Sequence, residues 1–312
     1  MTFCSITRCL PGLRRVAAAV LGLLLAVAPG PVLYAQAPGP APRPDSVAQG
    51  PWVPPPTELW RDAVDVVRGP FTMTARERWW TIGALGAVVG TAAGLDVRAY
   101  NHMSPRSSNG PSARVRAVTD PVAGPGEWYD RHNANRLTLG LVGGVAASGL
   151  LLRNRTLTRT SVQLLEAAVY TEVVNGLLKS ALNRTRPYVG DEPDPAAFDV
   201  GAFRGDHAVL AMPSGHAARV FALASVGAAA ADRWYVSVPL YAGAASVGVE
   251  RVQSGDHWLT DVMVGAALGT LIGRSVADAS ARDAAAPADE TARAVRYEPI
   301  VSLRRVGVQV HF

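Results

Sequence analysis

The chain has 312 residues, a formal net charge of +5 and a hydrophobic share of 49%. Its charged share of 18% is below the roughly 25% that is usual for soluble domains. This composition argues against a disordered chain and against a nucleic-acid-binding tail, and the length suits one domain with appendages or two small domains.

Residues 1–37 have the three-part pattern of a secretory signal. Arg8, Arg14 and Arg15 form a basic start without an acidic residue, and an apolar run covers Val16–Val27. Small residues suited to cleavage follow at Ala35-Gln36-Ala37. We expect this segment to be a signal peptide that exports the chain to the cell envelope, or alternatively an uncleaved N-terminal anchor.

Cleavage of this segment would change two properties of the chain. The net charge would fall from +5 to about +2, because three arginines leave with no acid, and this removes the argument for a nucleic-acid partner. Both cysteines, Cys4 and Cys9, would also leave, so disulfides and thiolate metal sites would be excluded. Residues 38–56 follow as a proline-rich, extended linker.

Residues 57–276 are predicted to form one helical domain of the all-α class, a bundle of about six core helices. The segments that predict them are Trp79–Leu95, Leu137–Leu152, Ser161–Leu182, Val220–Ala231, Trp234–Val249 and Val262–Gly273. Glu58–Val67 fits an additional amphipathic helix. The polar stretch Tyr100–Asn135, with His102 and His132, is predicted to form lids or loops.

The apolar segments alone do not decide whether water or lipid surrounds this bundle. About 20 apolar residues span a bilayer, and shorter runs are more typical of buried core helices. Small residues such as Gly83 and Gly86 permit close packing in either water or lipid. We favour a membrane-associated domain over a soluble bundle.

Residues 277–312 are predicted to be a C-terminal tail. Ala277–Ala294 is rich in alanine and aspartate and fits a frayed or surface helix. Apolar and polar residues alternate in Val306–Phe312, which predicts a short strand.

The first of three motifs is Lys179-Ser-Ala-Leu-Asn-Arg-Thr-Arg186-Pro187. Lys179 is the one lysine among 30 basic residues, which suits a compact point-charge contact that arginine makes badly. The seven-residue spacing predicts that Lys179 and Arg186 share one face of a helix, which Pro187 then breaks. Two cations on one face indicate an anionic partner.

The second motif, Pro213-Ser214-Gly215-His216, opens a helical run. Ser214 is a natural N-cap, and the first turn of a helix offers free N–H groups at the positive end of its dipole. Gly215 has no side chain to block an approaching group. The motif therefore predicts an anion site.

The third motif is Arg251-Val-Gln-Ser-Gly-Asp-His257-Trp-Leu-Thr-Asp261. His257 and Asp261 are one helical turn apart, so Asp261 can accept a hydrogen bond from one ring nitrogen. The other nitrogen would then be free to act as a nucleophile or a base. Arg251 lies just upstream, where it can reach an anion at that histidine.

In this order the three motifs resemble the signature of the type 2 phosphatidic acid phosphatase and vanadium haloperoxidase superfamily, in particular its lipid phosphate phosphatases. The signature reads K-x6-R-P, then P-S-G-H, then S-R-x5-H-x3-D. The match runs from Lys179 to Asp261, about a quarter of the chain, with unbroken spacing in each motif. Glu250 stands where the family usually has serine. A carboxylate there can pair with Arg251 and weaken its grip on phosphate.

The resemblance implies that His257 attacks phosphorus and forms a phosphohistidine, while Asp261 orients the ring. His216 would protonate the leaving group and then activate water. The phosphoryl oxygens would be held by Lys179, Arg186, Ser214, the Gly215 amide and Arg251. Fixed cations and amides would do the work that Mg²⁺ does elsewhere, so neither a metal nor a cofactor is expected.

The leading hypothesis is a cell-envelope phosphatase that acts on a lipid phosphate or lipid diphosphate at the periplasmic side of a membrane. A soluble periplasmic acid phosphatase with broad specificity is the first alternative. A vanadate-dependent haloperoxidase is the next, because the same residues can hold vanadate; otherwise vanadate would act only as an inhibitor. A degenerate membrane protein without enzymatic activity is a further alternative, but the complete set of motif residues argues against it. No oligomeric state is predicted.

Overall fold

The computed structural model describes residues 86, 90, 94–190, 192–201, 209–285, 296–302 and 305–311. The predicted signal or anchor segment, the linker, Glu58–Val67 and most of Trp79–Leu95 lie outside the described residues. Helix α1 is described over residues 94–103. The helices that follow are α2 (Ala113–Arg131), α3 (Ala134–Leu151), α4 (Arg155–Leu182), α5 (Gly215–Ala231), α6 (Trp234–Gln253) and α7 (Leu259–Ala285).

The all-α prediction is confirmed, and several of the helix contacts join helices that are not consecutive in the chain. Helices α5 and α7 make the most extensive contact, α6 packs on both α2 and α5, and α4 packs on α3, α5 and α7. Strands β1 (Arg296–Ser302) and β2 (Arg305–His311) pair as an antiparallel hairpin. The strand predicted at the C-terminus is therefore one arm of this hairpin.

The prediction of loops across the polar stretch is wrong for most of its residues. The first four belong to α1, and Ala113–Arg131 forms α2. Ser112 caps α2 by accepting a hydrogen bond from the backbone N–H of Val115 at 3.3 Å. The buried residues of this helix are small, Val115, Ala123 and Gly126. The helix also contains Pro121 and Pro125, and proline within a segment argues against a helix there.

Gly126 fixes α2 against α6. Its backbone N–H donates to Ser246 Oγ at 2.8 Å. A Cβ atom at this position would come within 2.5 Å of the Ser246 carbonyl oxygen, so only glycine permits the approach. This contact places the end of α2, with Asp130, beside the end of α6, with Arg251.

Helices α5 and α7 approach each other through small residues. Gly265 of α7 lies so close to α5 that a Cβ there would be 2.5 Å from the Ser214 carbonyl oxygen. Gly269 and Gly273 make similar contacts with the Ala218 and Ala222 carbonyls, one and two turns further along. The spacing of four residues keeps all three on one face of α7, and the first contact lies at the start of α5. Helix α7 continues past residue 276 to Ala285.

Candidate active site

The first motif turns away from its helix before it reaches Arg186. Asn183 ends α4 in the left-handed conformation, at φ 44°, and its side-chain amide donates to the Ser180 and Asp199 carbonyls. Thr185 then pairs with Leu210 in an isolated β-bridge. The prediction that Lys179 and Arg186 share a helix face is therefore wrong, because the helix ends four residues before the proline.

Both cations nevertheless act on the same histidine. Lys179 is buried on the last turn of α4, and burial lowers its pKa to about 8. The side chain of Arg186 lies half-buried on the extended segment that follows. The positive charges of both residues, with that of Arg251, lower the pKa of His257. The structure thus gathers three separate cations around one imidazole.

Helix α5 begins at the site with a polar side chain that lacks a hydrogen-bond partner among the described residues. Ser214 stands at the predicted N-cap position, but its side chain makes no capping hydrogen bond. Its Oγ atom is buried without a hydrogen-bond partner among the described residues. The Ser214 N–H donates to the Asp261 carbonyl oxygen at 3.0 Å, which ties the start of α5 to α7. A Cβ on Gly215 would lie 3.1 Å from Asn175 Nδ2, so the anion site predicted here is narrow.

His257 is almost completely buried, with 2% of its side chain exposed. Burial lowers its pKa well below the ordinary value, and the three cations lower it further. The imidazole is therefore neutral, which is the form that a nucleophile needs. Its Nδ1 atom lies 3.7 Å from Asp261 Oδ2, too far for a hydrogen bond. The predicted hydrogen bond between these two side chains is not formed.

A buried network that lies outside the predicted site residues holds Asp261 in place. Arg184 Nη1 donates to Asp261 Oδ1 at 2.6 Å, and Arg184 Nη2 donates to Asp96 Oδ2 at 2.7 Å. Asp96 also accepts hydrogen bonds from the backbone N–H and the hydroxyl of Thr260. The second carboxylate oxygen of Asp261 accepts from the Trp258 N–H at 2.8 Å. Asp261 is thus fixed beside His257 by α1, α7 and the first motif.

Two signals in the sequence point weakly to this network. Arg184 lies inside the first motif, two residues before Arg186, and Asp96 directly follows the apolar run that ends at Leu95. A charge next to a long apolar run needs a partner when it is buried. Neither signal shows which residue that partner is, because Asp96 and Arg184 are 88 positions apart in the chain.

Arg251 is surrounded by carboxylates. Its Nη2 donates to Glu250 Oε1 at 2.8 Å, and its Nε donates to the other oxygen of the same group. Asp130 Oδ2 lies 2.8 Å from Nη2, and Asp256 Oδ2 lies 3.3 Å from Nη1. The expected pairing of Glu250 with Arg251 is confirmed. These contacts leave few guanidinium N–H groups free for a phosphate oxygen.

His216 lies on the first turn of α5, beside the same carboxylates. Its Nε2 atom is 3.4 Å from Asp130 Oδ1. Burial lowers the pKa of His216 to about 4, the charge of Arg251 adds to this effect, and Asp130 opposes it. Asp130 is not among the predicted site residues, because it stands in the stretch that is predicted to form loops.

Residues 160–282 match the family model described as the PAP2 superfamily. That segment contains all three motifs and every predicted site residue. The likeness to the PAP2 superfamily is thus shown for this segment of the chain. The resemblance that the motifs indicate is thereby confirmed, while the roles of the individual site residues and the absence of a metal or cofactor stay predictions.

Two known proteins resemble this chain. Lipid A 1-phosphatase from Porphyromonas gingivalis is 35% identical over 89 residues, which cover 27% of this chain and 20% of the relative. The chain therefore matches one fifth of the length of that relative. The crystal structure of the first transmembrane PAP2 type phosphatidylglycerolphosphate phosphatase from Bacillus subtilis is 18% identical, with a TM-score of 0.40. That match covers 73% of this chain and 96% of the solved one.

Proposed function

We propose that this chain is a membrane-associated phosphatase that hydrolyses a lipid phosphate or lipid diphosphate through a phosphohistidine on His257. The observation that carries the proposal is the neutral, buried imidazole of His257 among the charges of Lys179, Arg186 and Arg251. A neutral nucleophile next to fixed cations is the arrangement that phosphoryl transfer requires, because this chemistry depends on positioning and charge stabilisation.

The reaction would proceed in two steps. A ring nitrogen of His257 attacks phosphorus, the P–N bond forms and the P–O bond to the leaving group breaks. His216 gives its proton to the leaving oxygen. In the second step His216 accepts a proton from water, the water oxygen attacks phosphorus, and the P–N bond breaks to release phosphate. Asp261 would balance the positive charge on the phosphorylated imidazole from 3.7 Å away.

The phosphoryl oxygens would lie at the start of α5. The buried hydroxyl of Ser214 makes no hydrogen bond within the described part of the chain, so it is free to donate to a phosphate oxygen. The backbone N–H of Gly215 would donate next to it at the positive end of the helix dipole. Lys179 and Arg186 would contribute the charge, with a smaller share from Arg251 because of its carboxylate partners.

The position of the apolar helices supports a lipid substrate. Two described segments are long and apolar enough to cross a membrane, Ala134–Leu151 and Leu259–Ser280. Inside the protein 17% of the first and 56% of the second is buried, so α3 leaves much apolar surface uncovered. An 18-residue helix is about 27 Å long, close to the roughly 30 Å of a bilayer core.

Both apolar helices begin at the level of the site. Helix α3 starts at Ala134, just after Asp130, and α7 starts at Leu259, just after His257. With these helices in a bilayer, the site would lie at its boundary, where the phosphate of a lipid headgroup lies. The name of the relative, lipid A 1-phosphatase, agrees with a lipid phosphate as substrate. The signal pattern of residues 1–37 supports a site that faces the periplasm.

The test is phosphate release by the full chain in detergent micelles with excess EDTA. The substrates are phosphatidate, an isoprenyl diphosphate and a soluble aryl phosphate, and the variants are His257→Ala and the exposed control His102→Ala. We expect lipid turnover by the wild type and by the control, and none by His257→Ala. Turnover of the aryl phosphate alone would indicate a soluble-type acid phosphatase. No phosphate release, with halide oxidation upon addition of vanadate, would indicate a haloperoxidase.

A further inference from the structure

We propose that Asp130 is a positioning residue of the phosphatase site, which holds the Nε2–H of His216 and leaves Nδ1 of the same ring to exchange the proton of the reaction. The proposal rests on the proposed function for the role of His216. Asp130 belongs to α2, outside the three motifs and outside the segment that matches the PAP2 family model. It therefore adds to the site a part of the chain that the motifs do not include.

One carboxylate contacts both groups. Asp130 Oδ1 lies 3.4 Å from His216 Nε2, and Asp130 Oδ2 lies 2.8 Å from Arg251 Nη2. Because an ionised carboxylate only accepts hydrogen bonds, the nitrogen that faces it must carry the ring proton. Asp130 thus fixes the ring of His216 through Nε2–H and leaves Nδ1 as the nitrogen that can accept and deliver a proton.

Charge neutralisation of Arg251 does not require Asp130. Glu250 already binds that guanidinium through two nitrogens, and Asp256 lies 3.3 Å from the third. His216, in contrast, has Asp130 as its acidic partner in the described part of the chain. The contact with His216 is therefore the one for which Asp130 has no substitute.

The other groups around His216 oppose its protonation. Arg251 of α6, Arg219 of α5 and His257 of the following loop all lower its pKa, whereas Asp130 raises it. The ring of Tyr129 completes the surroundings and meets the imidazole edge-on, with centroids 6.2 Å apart. A general acid must hold a proton before it can deliver one, and Asp130 is the neighbour that favours the protonated form.

The packing of α2 makes this contact a fixed one. Gly126, one turn before Asp130, is held against α6 through Ser246. The carboxylate therefore reaches the site from a packed helix rather than from a loop. Fixed hydrogen-bond partners of this kind preserve the geometry of a proton transfer.

In the reaction, Nε2–H of His216 stays directed at Asp130. The imidazolium passes its Nδ1 proton to the leaving oxygen as the P–O bond breaks, and Nδ1 later accepts a proton from the attacking water. The importance of this step depends on the leaving group. An alkoxide needs the proton, whereas a nitrophenolate is stable enough to leave without it.

The experiment therefore compares two substrates whose leaving groups differ in their need for a proton. Asp130→Asn, Asp130→Glu and His216→Ala are assayed on phosphatidate and on p-nitrophenyl phosphate, with Glu127→Gln as the control. Glu127 lies one turn earlier on α2, is exposed and pairs with Arg131 instead. Since general acid catalysis contributes at least about a hundredfold, we expect Asp130→Asn to lose at least about tenfold in kcat on phosphatidate and less than about threefold on the aryl ester.

Two further results must agree with this assignment. Asp130→Glu should recover part of the lost rate, and Asp130→Asn should cost nothing more in a His216→Ala background, because both changes remove the same proton transfer. Equal losses on the two substrates would show a merely structural role and overturn the proposal. A gain in activity would show that Asp130 occupies the place of the substrate, and would overturn it too.

A measurement without turnover separates this proposal from the proposed function. The His216 titration is followed by NMR in the full, histidine-labelled chain, for the wild type and Asp130→Asn. We expect the midpoint to shift to lower pH in the variant, because the carboxylate that favours the imidazolium is neutralised. An unchanged midpoint would contradict the proposal even if lipid turnover is found, and a shift would support the contact even if no tested substrate reacts.

Discussion

Replacing Glu250 should strengthen phosphate binding. Glu250 occupies Nε and Nη2 of Arg251 with two hydrogen bonds and is itself buried. A hydrogen bond to a charged group contributes about 1.5–3 kcal/mol, so freeing one guanidinium N–H for a phosphate oxygen corresponds to at least about a tenfold gain in affinity. Asp130 and Asp256 still contact Arg251, which keeps the expected gain in Glu250→Gln at the lower end, about tenfold.

The assay is competitive inhibition by inorganic phosphate at pH 7, measured against the aryl phosphate. Glu250→Ser, which restores the usual family residue, should behave like Glu250→Gln. Glu127→Gln is the matched control, because Glu127 lines the same polar cavity as Glu250 but does not contact Arg251. An inhibition constant that stays the same or rises in both Glu250 variants would refute the idea that this carboxylate competes with phosphate.

Three other predictions concern stability. Arg184→Met should cost about 3–5 kcal/mol of unfolding free energy, because it leaves buried carboxylates unpaired. The control Arg116→Met, at an exposed position, should cost little. Chemical denaturation of both variants measures the difference. Gly269→Ala should lower the melting temperature strongly, since its Cβ would collide with α5, and Gly140→Ala, with nothing within 4 Å, should not. The pKa of His216 falls from 6.5 to about 4 on folding, so the unfolded chain binds the extra proton between these values. Stability should therefore decrease as the pH drops from about 6.5 toward 4, with a smaller decrease in His216→Asn when melting is compared at pH 7 and 4.5.

The sequence predicts the helices best where a long apolar run carries no charge. Such runs indicate α3, α5 and α6, and the start of α5 follows from the N-cap position of Ser214. Helix α2 is hidden, because Pro121 and Pro125 lie inside it and proline is more typical of turns and helix ends. Its contact with α6 depends on Gly126 rather than on large apolar side chains.

The site residues also divide into those that the sequence predicts and those that it does not. The motifs indicate the residues that we propose hold the phosphate, since their spacing reflects local geometry at helix ends. They do not name Asp96, Arg184 or Asp130, which act on those residues across the fold. Nor does spacing reveal that Asn183 ends α4, so a helical face was expected where an extended segment lies. Long-range partners and helix ends depend on tertiary contacts that a motif does not contain.

The central claim is a covalent phosphoenzyme on His257. The most direct measurement incubates the full chain, in EDTA, with phosphatidate labelled in its phosphate, quenches with base and follows the label on the protein. A phosphohistidine survives base, so we expect a transient label in the wild type and in His102→Ala, and none in His257→Ala. Turnover without any label, or a label that persists in His257→Ala, would contradict it.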